Sequence, residues 1–358
     1  MTNLLLDPAT KAAAEKLPSP GFTMVGDMLS NVRPPDWLIK GHLEADSLGL
    51  IYGPPKCGKS FLAIDWACCV ATGTPWHGHQ VKQATVFYLA GEGHNGLARR
   101  FMAWGISREI DLSKAPIAVS NSAQPLTDEI ATTQVQVAID TLAERHGPPA
   151  LIVVDTLARN FGGDENSTQD MNTFVQHLDR IRQRWRATVL VVHHTGKDQS
   201  RGARGSVALT GAIDSAFKVE RDELGTVLME ATEMKDSEPP GLQAFKLEGV
   251  LLPLSDEEGG EVWSCVPRPL DSAYMPPKKG AAGRGKNQTA ALRELERLYS
   301  DYAERLGGAE RPPLVEIAHW RQACIDAGLF KPNRWGEVKD KLAEHGSVIL
   351  RPPHALLP

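Results

Sequence analysis

A glycine-rich segment offers the clearest chemistry in the sequence. Residues 53–60 have the spacing G-x-x-x-x-G-K-S, in which glycines let the backbone curl so that its N–H groups converge on phosphate oxygens. Lys59 would bring a positive charge to the β- and γ-phosphates, and the Ser60 hydroxyl is a suitable ligand for Mg²⁺. The segment therefore predicts a site for a nucleoside triphosphate and Mg²⁺. The residues expected to bind the nucleotide are Gly53, Pro54, Pro55, Lys56, Cys57, Gly58, Lys59, Ser60 and Phe61.

Two acidic residues stand where a phosphate-binding loop needs carboxylates. Asp155 ends the apolar run 151–154, so we expect it beside the loop at the carboxyl edge of a parallel sheet, holding Mg²⁺ together with Ser60. Glu92 follows the apolar run 86–90 and is flanked by two glycines. If that run forms a strand next to the strand of the glycine-rich loop, we expect Glu92 to orient the attacking water. The alternatives are a helix-capping or turn aspartate at 155 and a solvated loop glutamate at 92.

Two adjacent histidines end a third apolar run, 189–192. We expect one of them, His193 or His194, to contact the γ-phosphate and report its presence to the loop that follows. Paired histidines also suggest a metal site. No third ligand lies at a spacing typical of zinc sites, which argues against that alternative.

The loop 196–206 is basic and rich in glycine. One interpretation is a solvated surface loop. The other assigns Lys197 and Arg201 to nucleic-acid phosphates and Arg204 to a nucleotide, because lysine and arginine supply the charge that binds phosphate.

The apolar pattern around these residues predicts an α/β fold. A buried strand over 48–52 and a helix over 61–70 enclose the glycine-rich loop, and further strands are predicted over 84–90, 150–155 and 187–192. Helical patterns lie between them, so the expected core is a parallel sheet with helices on both faces.

The pattern changes after residue 213. The segments 216–220, 226–234 and 242–252 predict antiparallel strands that extend the sheet. The sequence length of 358 residues predicts about two domains.

We therefore divide the chain into a flexible N-terminal lead over 1–20, an α/β core over 21–266, a linker over 267–288 and a small C-terminal domain over 289–358. The linker is rich in Pro, Gly, Lys and Arg, as is typical of linkers. The C-terminal domain is expected to be helical. Its predicted helices lie around 292–302, 317–327 and 335–345, and 347–350 can form a short strand.

Composition excludes several classes of protein. No apolar run approaches the ~20 residues of a membrane helix, and residues 1–20 lack the pattern of a signal peptide, so no membrane partner is expected. The five cysteines form no C-x-x-C pair and are interpreted as free thiols in a reducing cytoplasm. The net charge is −5, so contact with nucleic acid would depend on local basic patches.

Taken in order, these motifs resemble those of the RecA/DnaB-type ATPases. The chain is most similar to the RepA-like, AAA_25-type hexameric replicative helicases of plasmids and phages. The resemblance covers about residues 21–255. It is carried by Pro35-Asp36-Trp37-Leu38-Ile39 and by the segments 51–60, 86–93, 152–156, 191–197 and 204–206.

The resemblance implies a role for each matching residue. Asp155 corresponds to the Walker B acid, Glu92 to the catalytic glutamate, and His194 to the γ-phosphate sensor, with His193 as the alternative. Arg204 corresponds to an arginine finger that reaches the ATP of a neighbouring subunit, and Arg99 or Arg100 to a further basic position of the RepA-like proteins.

One feature departs from the family pattern. DnaB-like members carry a Lys-x-Arg pair late in the sheet. The matching segment here is Met234-Lys235-Asp236-Ser237, which has the lysine and lacks the arginine.

The function implied by the resemblance is ATP-driven movement on single-stranded DNA by a homo-oligomeric ring, expected to be a hexamer, in the replication of a plasmid, phage or mobile element. A replication initiator or a primase is a candidate partner. The C-terminal domain resembles a winged-helix module in its helix pattern. Two alternatives remain open: a DNA-stimulated ATPase that loads or regulates other proteins without unwinding, and a nucleotide-switched DNA-binding regulator.

Overall fold

A computed structural model describes residues 21–91, 93–195, 207–222, 225–270, 286–305, 314–344 and 347–357. From residue 21 to residue 270 its helices and strands occur in the following order: α1 (Val25–Ser30), β1 (Trp37–Ile39), β2 (Leu43–Glu44), β3 (Leu48–Gly53), α2 (Lys59–Thr72), β4 (Thr85–Ala90), α3 (His94–Arg108), β5 (Ile117–Val119), α4 (Glu129–His146), β6 (Pro149–Asp155), α5 (Leu157–Asn160), α6 (Thr168–Trp185), β7 (Thr188–His194), α7 (Val207–Ala212), β8 (Ser215–Arg221), β9 (Val227–Met234), β10 (Gln243–Ser255) and β11 (Glu261–Pro269).

The central sheet has nine strands in the order β11-β10-β9-β8-β3-β7-β6-β4-β5. The six strands from β8 to β5 are parallel. The connections among β8, β9, β10 and β11 are too short for parallel crossovers, so these last strands form an antiparallel extension. The predicted α/β fold with a parallel sheet is confirmed.

One predicted strand direction is wrong. The segment 216–220 was expected to be antiparallel, but β8 pairs parallel with β3, from Gly49 opposite Ser215 to Tyr52 opposite Lys218. The connection from β7 to β8 is long enough to return the chain to the same end of the sheet, and it contains α7. The antiparallel extension therefore begins at β9.

Both faces of the parallel strands are covered, which explains why they read as unbroken apolar runs. All residues of β4 are buried, as are most of β6 and β7. On one face, α4 and α6 pack through residues such as Val135, Phe174 and Leu178. On the other, Trp66 of α2 lies edge-on to Phe217, with ring centroids 5.1 Å apart.

Capping residues set where the two long helices begin. The Asp128 side chain accepts a hydrogen bond from the Ala131 N–H at 2.8 Å and starts α4, and Ser167 caps α6 in the same way through Asp170. Both helices begin several residues before the apolar pattern does. The apolar pattern alone therefore marks the bodies of these helices and not their first residues.

The C-terminal residues form a separate small core. Its elements are α8 (Lys286–Arg305), β12 (Val315–Glu316), α9 (Ile317–Asp326), α10 (Trp335–Glu344), β13 (Ile349–Arg351) and β14 (His354–Leu356). The strands form an antiparallel sheet in the order β12-β14-β13, and Trp320 packs edge-on to Trp335 with ring centroids 4.8 Å apart. These elements follow one another in the order helix, strand, helix, helix, strand, strand.

Among the residues that the structure describes, none of the helices has the length and apolar character needed to cross a lipid bilayer.

Candidate nucleotide-binding site

The glycine-rich loop joins β3 to α2 at the carboxyl edge of the sheet. Gly53 has a φ of 157°, and a Cβ atom placed on it would lie 2.0 Å from the carbonyl oxygen of Val219 in β8. Gly58, the residue before α2, has a φ of 109°. Both positions therefore require glycine, one because of the neighbouring strand and the other because of the backbone turn into the helix.

Lys59 lies at the centre of the site and is buried. Its Nζ donates hydrogen bonds to the carbonyl oxygens of Gly53 at 2.9 Å and Pro54 at 2.7 Å, and it lies 2.9 Å from Nδ1 of His194. An ammonium group has only donors, so Nδ1 of His194 is the acceptor in this contact. Burial lowers the pKa of Lys59. A phosphate group would supply both charge and acceptors to this amine.

Asp155 ends β6 and contacts two hydroxyl groups. Ser60 donates to its Oδ1 at 3.1 Å, and the buried Tyr88 of β4 donates to its Oδ2 at 2.5 Å. Burial, followed by the Asp155 charge and this hydrogen bond, holds the pKa of Tyr88 well above its usual value. Tyr88 therefore remains a donor and fixes the plane of the carboxylate.

Tyr88 is a residue that the sequence analysis missed. The sequence does contain a signal for it, because Tyr88 lies inside an otherwise apolar strand that is predicted to be buried. A buried phenol needs a hydrogen-bond partner, so its position indicates a polar contact. The pairing of β4 with β6 supplies that partner, since Leu89 lies opposite Val154 and Ala90 opposite Asp155.

The oxygen atoms of Ser60 and Asp155 fit a magnesium ion. Mg²⁺ prefers hard oxygen ligands, keeps several waters and is usually held by one or two protein groups together with substrate phosphates. Among the described residues, no three His, Cys, Asp or Glu side chains cluster in a way that could hold a metal ion by themselves. The site therefore fits an ion that arrives with a nucleotide.

We predict that Tyr88→Phe will raise the Mg²⁺ concentration needed for half-maximal nucleotide binding by about tenfold, because a ligand that loses its supporting hydrogen bond is oriented less well. Titration of a fluorescent ATP analogue with Mg²⁺ measures this shift without turnover. Tyr52→Phe is the matched control, because the Tyr52 hydroxyl contacts Thr232 and not Asp155. An unchanged Mg²⁺ requirement in Tyr88→Phe would show that the hydrogen bond only stabilises the fold.

The two histidines of β7 differ in their surroundings. His194 contacts Lys59, whereas His193 is buried and its Nδ1 has no hydrogen-bond partner among the described residues. Burial, with smaller contributions from His194 and Lys59, lowers the pKa of His193 to about 4. The structure thus brings His194 to the P-loop lysine and keeps His193 neutral near pH 7.

This burial predicts a pH dependence of stability. Below the ordinary histidine pKa of 6.5 the unfolded chain binds a proton at His193, and the folded chain does so only near pH 4. The free energy of unfolding should therefore fall by up to about 3 kcal/mol as the pH drops from 6.5 to 4. Urea unfolding at several pH values measures this fall in the free energy of unfolding. In His193→Gln this part of the pH dependence should disappear. If the free energy of unfolding changes with pH equally in both proteins, His193 is not the group responsible.

Aromatic and basic side chains border the loop. The guanidinium carbon of Arg100 in α3 lies 5.0 Å from the ring centroid of Phe61, which is in the first turn of α2. Cys57 is buried, its Sγ lies 3.7 Å from Nζ of Lys59, and burial raises its pKa. Lys56 has a φ of 63° and is exposed.

Several predicted site residues lie outside the described residues: Glu92, Lys197, Arg201 and Arg204. The backbone next to Glu92 is described, however. The Gly91 N–H donates to the Asp155 carbonyl oxygen at 2.6 Å. A Cβ on Gly91 would lie 2.3 Å from Cβ of Arg159. The chain thus passes close to the carboxyl end of β6 at Gly91. The expectation that the 86–90 strand neighbours the strand of the glycine-rich loop is wrong, because β6 and β7 lie between β4 and β3.

Lys235 lies at the opposite end of the sheet from the loop. The backbone N–H of Lys235 donates to the carbonyl oxygen of Asp214, and its Nζ lies 3.2 Å from the Asp214 carboxylate. That carboxylate also accepts a hydrogen bond from the N–H of Leu48, the first residue of β3. The match of Lys235 to the lysine of the Lys-x-Arg pair stays a prediction, because the position of Lys235 in its own chain does not test a contact with another subunit.

Comparison with known proteins gives two findings. The model of the family AAA_25, described as an AAA domain, matches residues 12–200, which is more than half of the chain. A solved structure whose title describes it as an ATPase domain is similar over 67% of this chain and 95% of its own, with 12% sequence identity and a TM-score of 0.47.

Proposed function

The chain belongs to the AAA_25 family of AAA domains, and on that premise we propose that it is a ring-forming ATPase that moves along single-stranded DNA as a helicase. One observation carries the proposal. Lys59 begins α2 directly after the loop that follows β3, and Asp155 and His194 end β6 and β7 in the same part of the sheet. Lys59 contacts His194 and Ser60 is bonded to Asp155, so these side chains converge around the loop.

The proposed chemistry is attack by water on the γ-phosphate of ATP, promoted mainly by positioning and charge. Lys59 stabilises negative charge that develops on the phosphate oxygens. Ser60 and Asp155 would hold Mg²⁺, which would supply further positive charge. His194 can exchange its contact with Lys59 for one with the γ-phosphate. Glu92 is proposed to orient the water.

The DNA-directed part of the proposal rests on the sequence of the loop 196–206 and on the family resemblance. We assign Lys197 and Arg201 to the phosphates of single-stranded DNA. We assign Arg204 to the ATP of an adjacent subunit, which would make hydrolysis depend on ring assembly.

The test is the ATPase rate measured with and without single-stranded DNA across a range of protein concentrations. A ring with a finger in trans predicts that the rate per subunit rises with protein concentration, and DNA-driven movement predicts stimulation by single strands. An unwinding assay with a forked duplex then tests helicase activity. If the ATPase rate per subunit depends neither on protein concentration nor on single-stranded DNA, the ring-helicase proposal is refuted. The proposal of ATPase activity would still stand.

We predict that replacing both Lys197 and Arg201 with Ala will weaken binding to single-stranded DNA and lower its salt dependence. Two lost phosphate contacts reduce the slope of log K against log salt by about 1.4. Fluorescence anisotropy with an oligonucleotide at several salt concentrations measures the slope. The double variant Lys82→Ala with Lys114→Ala removes the same charge from exposed positions and should keep the original slope. If both double variants behave alike, the loop does not contact DNA.

A second candidate is a nucleotide-switched DNA-binding regulator. The winged-helix order of the C-terminal elements favours it, because such modules commonly present a helix to duplex DNA. Slow ATP turnover together with tight, sequence-dependent binding to duplex DNA would support the regulator over the helicase.

A further inference from the structure

The last two residues of β4 extend beyond the neighbouring strand β5. Val119, which ends β5, lies opposite Tyr88, and β4 continues to Ala90. Backbone groups of a buried strand need hydrogen-bond partners, and here a side chain replaces the missing strand. Oγ of Ser120, the residue after β5, accepts the Ala90 N–H at 2.9 Å. The end of β4 is therefore held by a hydroxyl group on the side where β5 has stopped.

A buried asparagine holds the same end of β4 from another segment. Asn160, the last residue of α5, has no exposed surface. Its Nδ2 donates to the carbonyl oxygen of Leu89 at 3.4 Å and to that of Thr156 at 3.1 Å. Its Oδ1 accepts the N–H of Gln124 at 2.9 Å. Because donors and acceptor of this amide are both engaged, it joins β4, the residue after Asp155 and the segment after β5.

These contacts converge on Asp155. Its carbonyl oxygen accepts the Gly91 N–H at 2.6 Å, and its carboxylate accepts the Tyr88 hydroxyl. Both donors lie in β4 or directly after it, so their positions depend on how the end of β4 is held. Asn160 acts on both sides of this junction, because it bonds to a carbonyl oxygen of β4 and to that of the residue after Asp155.

We propose that Asn160 and Ser120 are positioning residues for the Asp155 carboxylate. They act through the backbone at the junction of β4 and β6, where they keep the carboxylate aimed at Mg²⁺. Groups behind a metal ligand fix its orientation and so raise its affinity for the metal. This role deepens the proposed function by naming residues that orient its Mg²⁺ ligand, and it rests on that function for the assignment of Asp155 to Mg²⁺.

Titration of a fluorescent ATP analogue with Mg²⁺ tests both residues without turnover. Asn160→Ala and Ser120→Ala should each raise the Mg²⁺ concentration needed for half-maximal binding by about tenfold, the effect typical of losing a group that supports a metal ligand. Binding of the analogue in EDTA should be unchanged, because neither substitution touches the glycine-rich loop.

Two nearby substitutions serve as matched controls. Asn166→Ala removes an exposed asparagine whose side-chain amide donates to Asp164. Ser122→Ala removes an exposed hydroxyl that accepts a hydrogen bond from the side chain of Gln124. Among the described contacts of these two side chains, none reaches β4 or Asp155. Both controls should therefore keep the Mg²⁺ requirement of the wild-type protein.

A double-mutant cycle with Asp155→Asn separates positioning from general damage to the fold. If Asn160 acts through the Asp155 carboxylate, Asn160→Ala should shift the Mg²⁺ requirement in the wild-type background and by less than about twofold in Asp155→Asn. A residue that only stabilises the fold would shift it by the same factor in both backgrounds. Thermal unfolding shows which variants are folded. If Asn160→Ala does not fold, Ser120→Ala takes its place in the cycle, because Ser120 is only half-buried.

Three results would overturn the positioning role: an unchanged Mg²⁺ requirement in the folded variants, an equal shift in the Asp155→Asn background, or equally weakened binding of the analogue in EDTA. If Asp155→Asn itself leaves the Mg²⁺ requirement unchanged, the assignment of Asp155 to Mg²⁺ fails as well. A protein that shows the expected shifts but does not hydrolyse ATP retains the positioning role and loses the helicase proposal. A DNA-stimulated ATPase whose Mg²⁺ requirement is the same in both variants does the reverse.

Discussion

Lys59→Ala is expected to abolish ATP hydrolysis. The lysine amine lies within hydrogen-bond distance of the loop carbonyl oxygens of Gly53 and Pro54. Its loss removes the charge that stabilises the γ-phosphate oxygens in the transition state, and removing one such group typically lowers kcat by about 10²–10³ or more. Phosphate release from ATP measures the change.

Two controls make this result specific. Lys82→Ala removes a lysine from an exposed ion pair with Asp36 and should leave turnover unchanged, because such pairs contribute little. Thermal unfolding shows whether Lys59→Ala is folded despite losing three hydrogen bonds. Turnover at the wild-type rate in folded Lys59→Ala would remove the basis for the ATPase proposal.

The loop and its flanking elements could be predicted from sequence because their signals are local. The glycine spacing fixes the loop, the run 48–52 marks the buried strand, and the apolar pattern after Ser60 marks the helix. The structure has β3 over Leu48–Gly53 and α2 over Lys59–Thr72, as expected. The same reasoning found the strand that ends at Asp155, because a strand covered on both faces reads as an apolar run wherever it lies.

Strand direction was not predictable in the same way. The apolar pattern of β8 is the same whether the strand is parallel or antiparallel, and only the path of the preceding connection decides. The direction of β8 in turn decides which end of β9 lies at the carboxyl edge of the sheet. That is why Lys235, although late in the sheet, lies beside Leu48 and away from the loop.

Tyr88 could not be found from spacing because its partner is distant in sequence. It stands 67 residues before Asp155, and the two meet only because β4 and β6 are neighbours in the sheet. Sequence alone shows a tyrosine in an apolar strand, and the register of the strands gives it a role.

Glu92→Gln is expected to bind ATP with Mg²⁺ normally and to hydrolyse it about 10²–10⁴ times more slowly, since an amide keeps the size of the side chain but cannot accept a proton from the attacking water. The described backbone supports this expectation. Gly91 bonds to the carbonyl oxygen of Asp155, so β4 ends beside the carboxylate that we propose to hold Mg²⁺.

Two measurements separate binding from chemistry in this variant. The affinity of Glu92→Gln for a fluorescent ATP analogue should match that of the wild-type protein. Its single-turnover hydrolysis should be slower than that of the wild-type protein. Glu144→Gln, the same change at an exposed position of α4, should affect neither. A glutamate that only supports the loop would show the opposite pattern, with weaker nucleotide binding and nearly normal turnover at saturation. This distinction also bears on the proposed ring. A variant that binds ATP without hydrolysing it would keep that ring in its nucleotide-bound state. In that state, the proposed contact of Arg204 with the ATP of a neighbouring subunit could be detected.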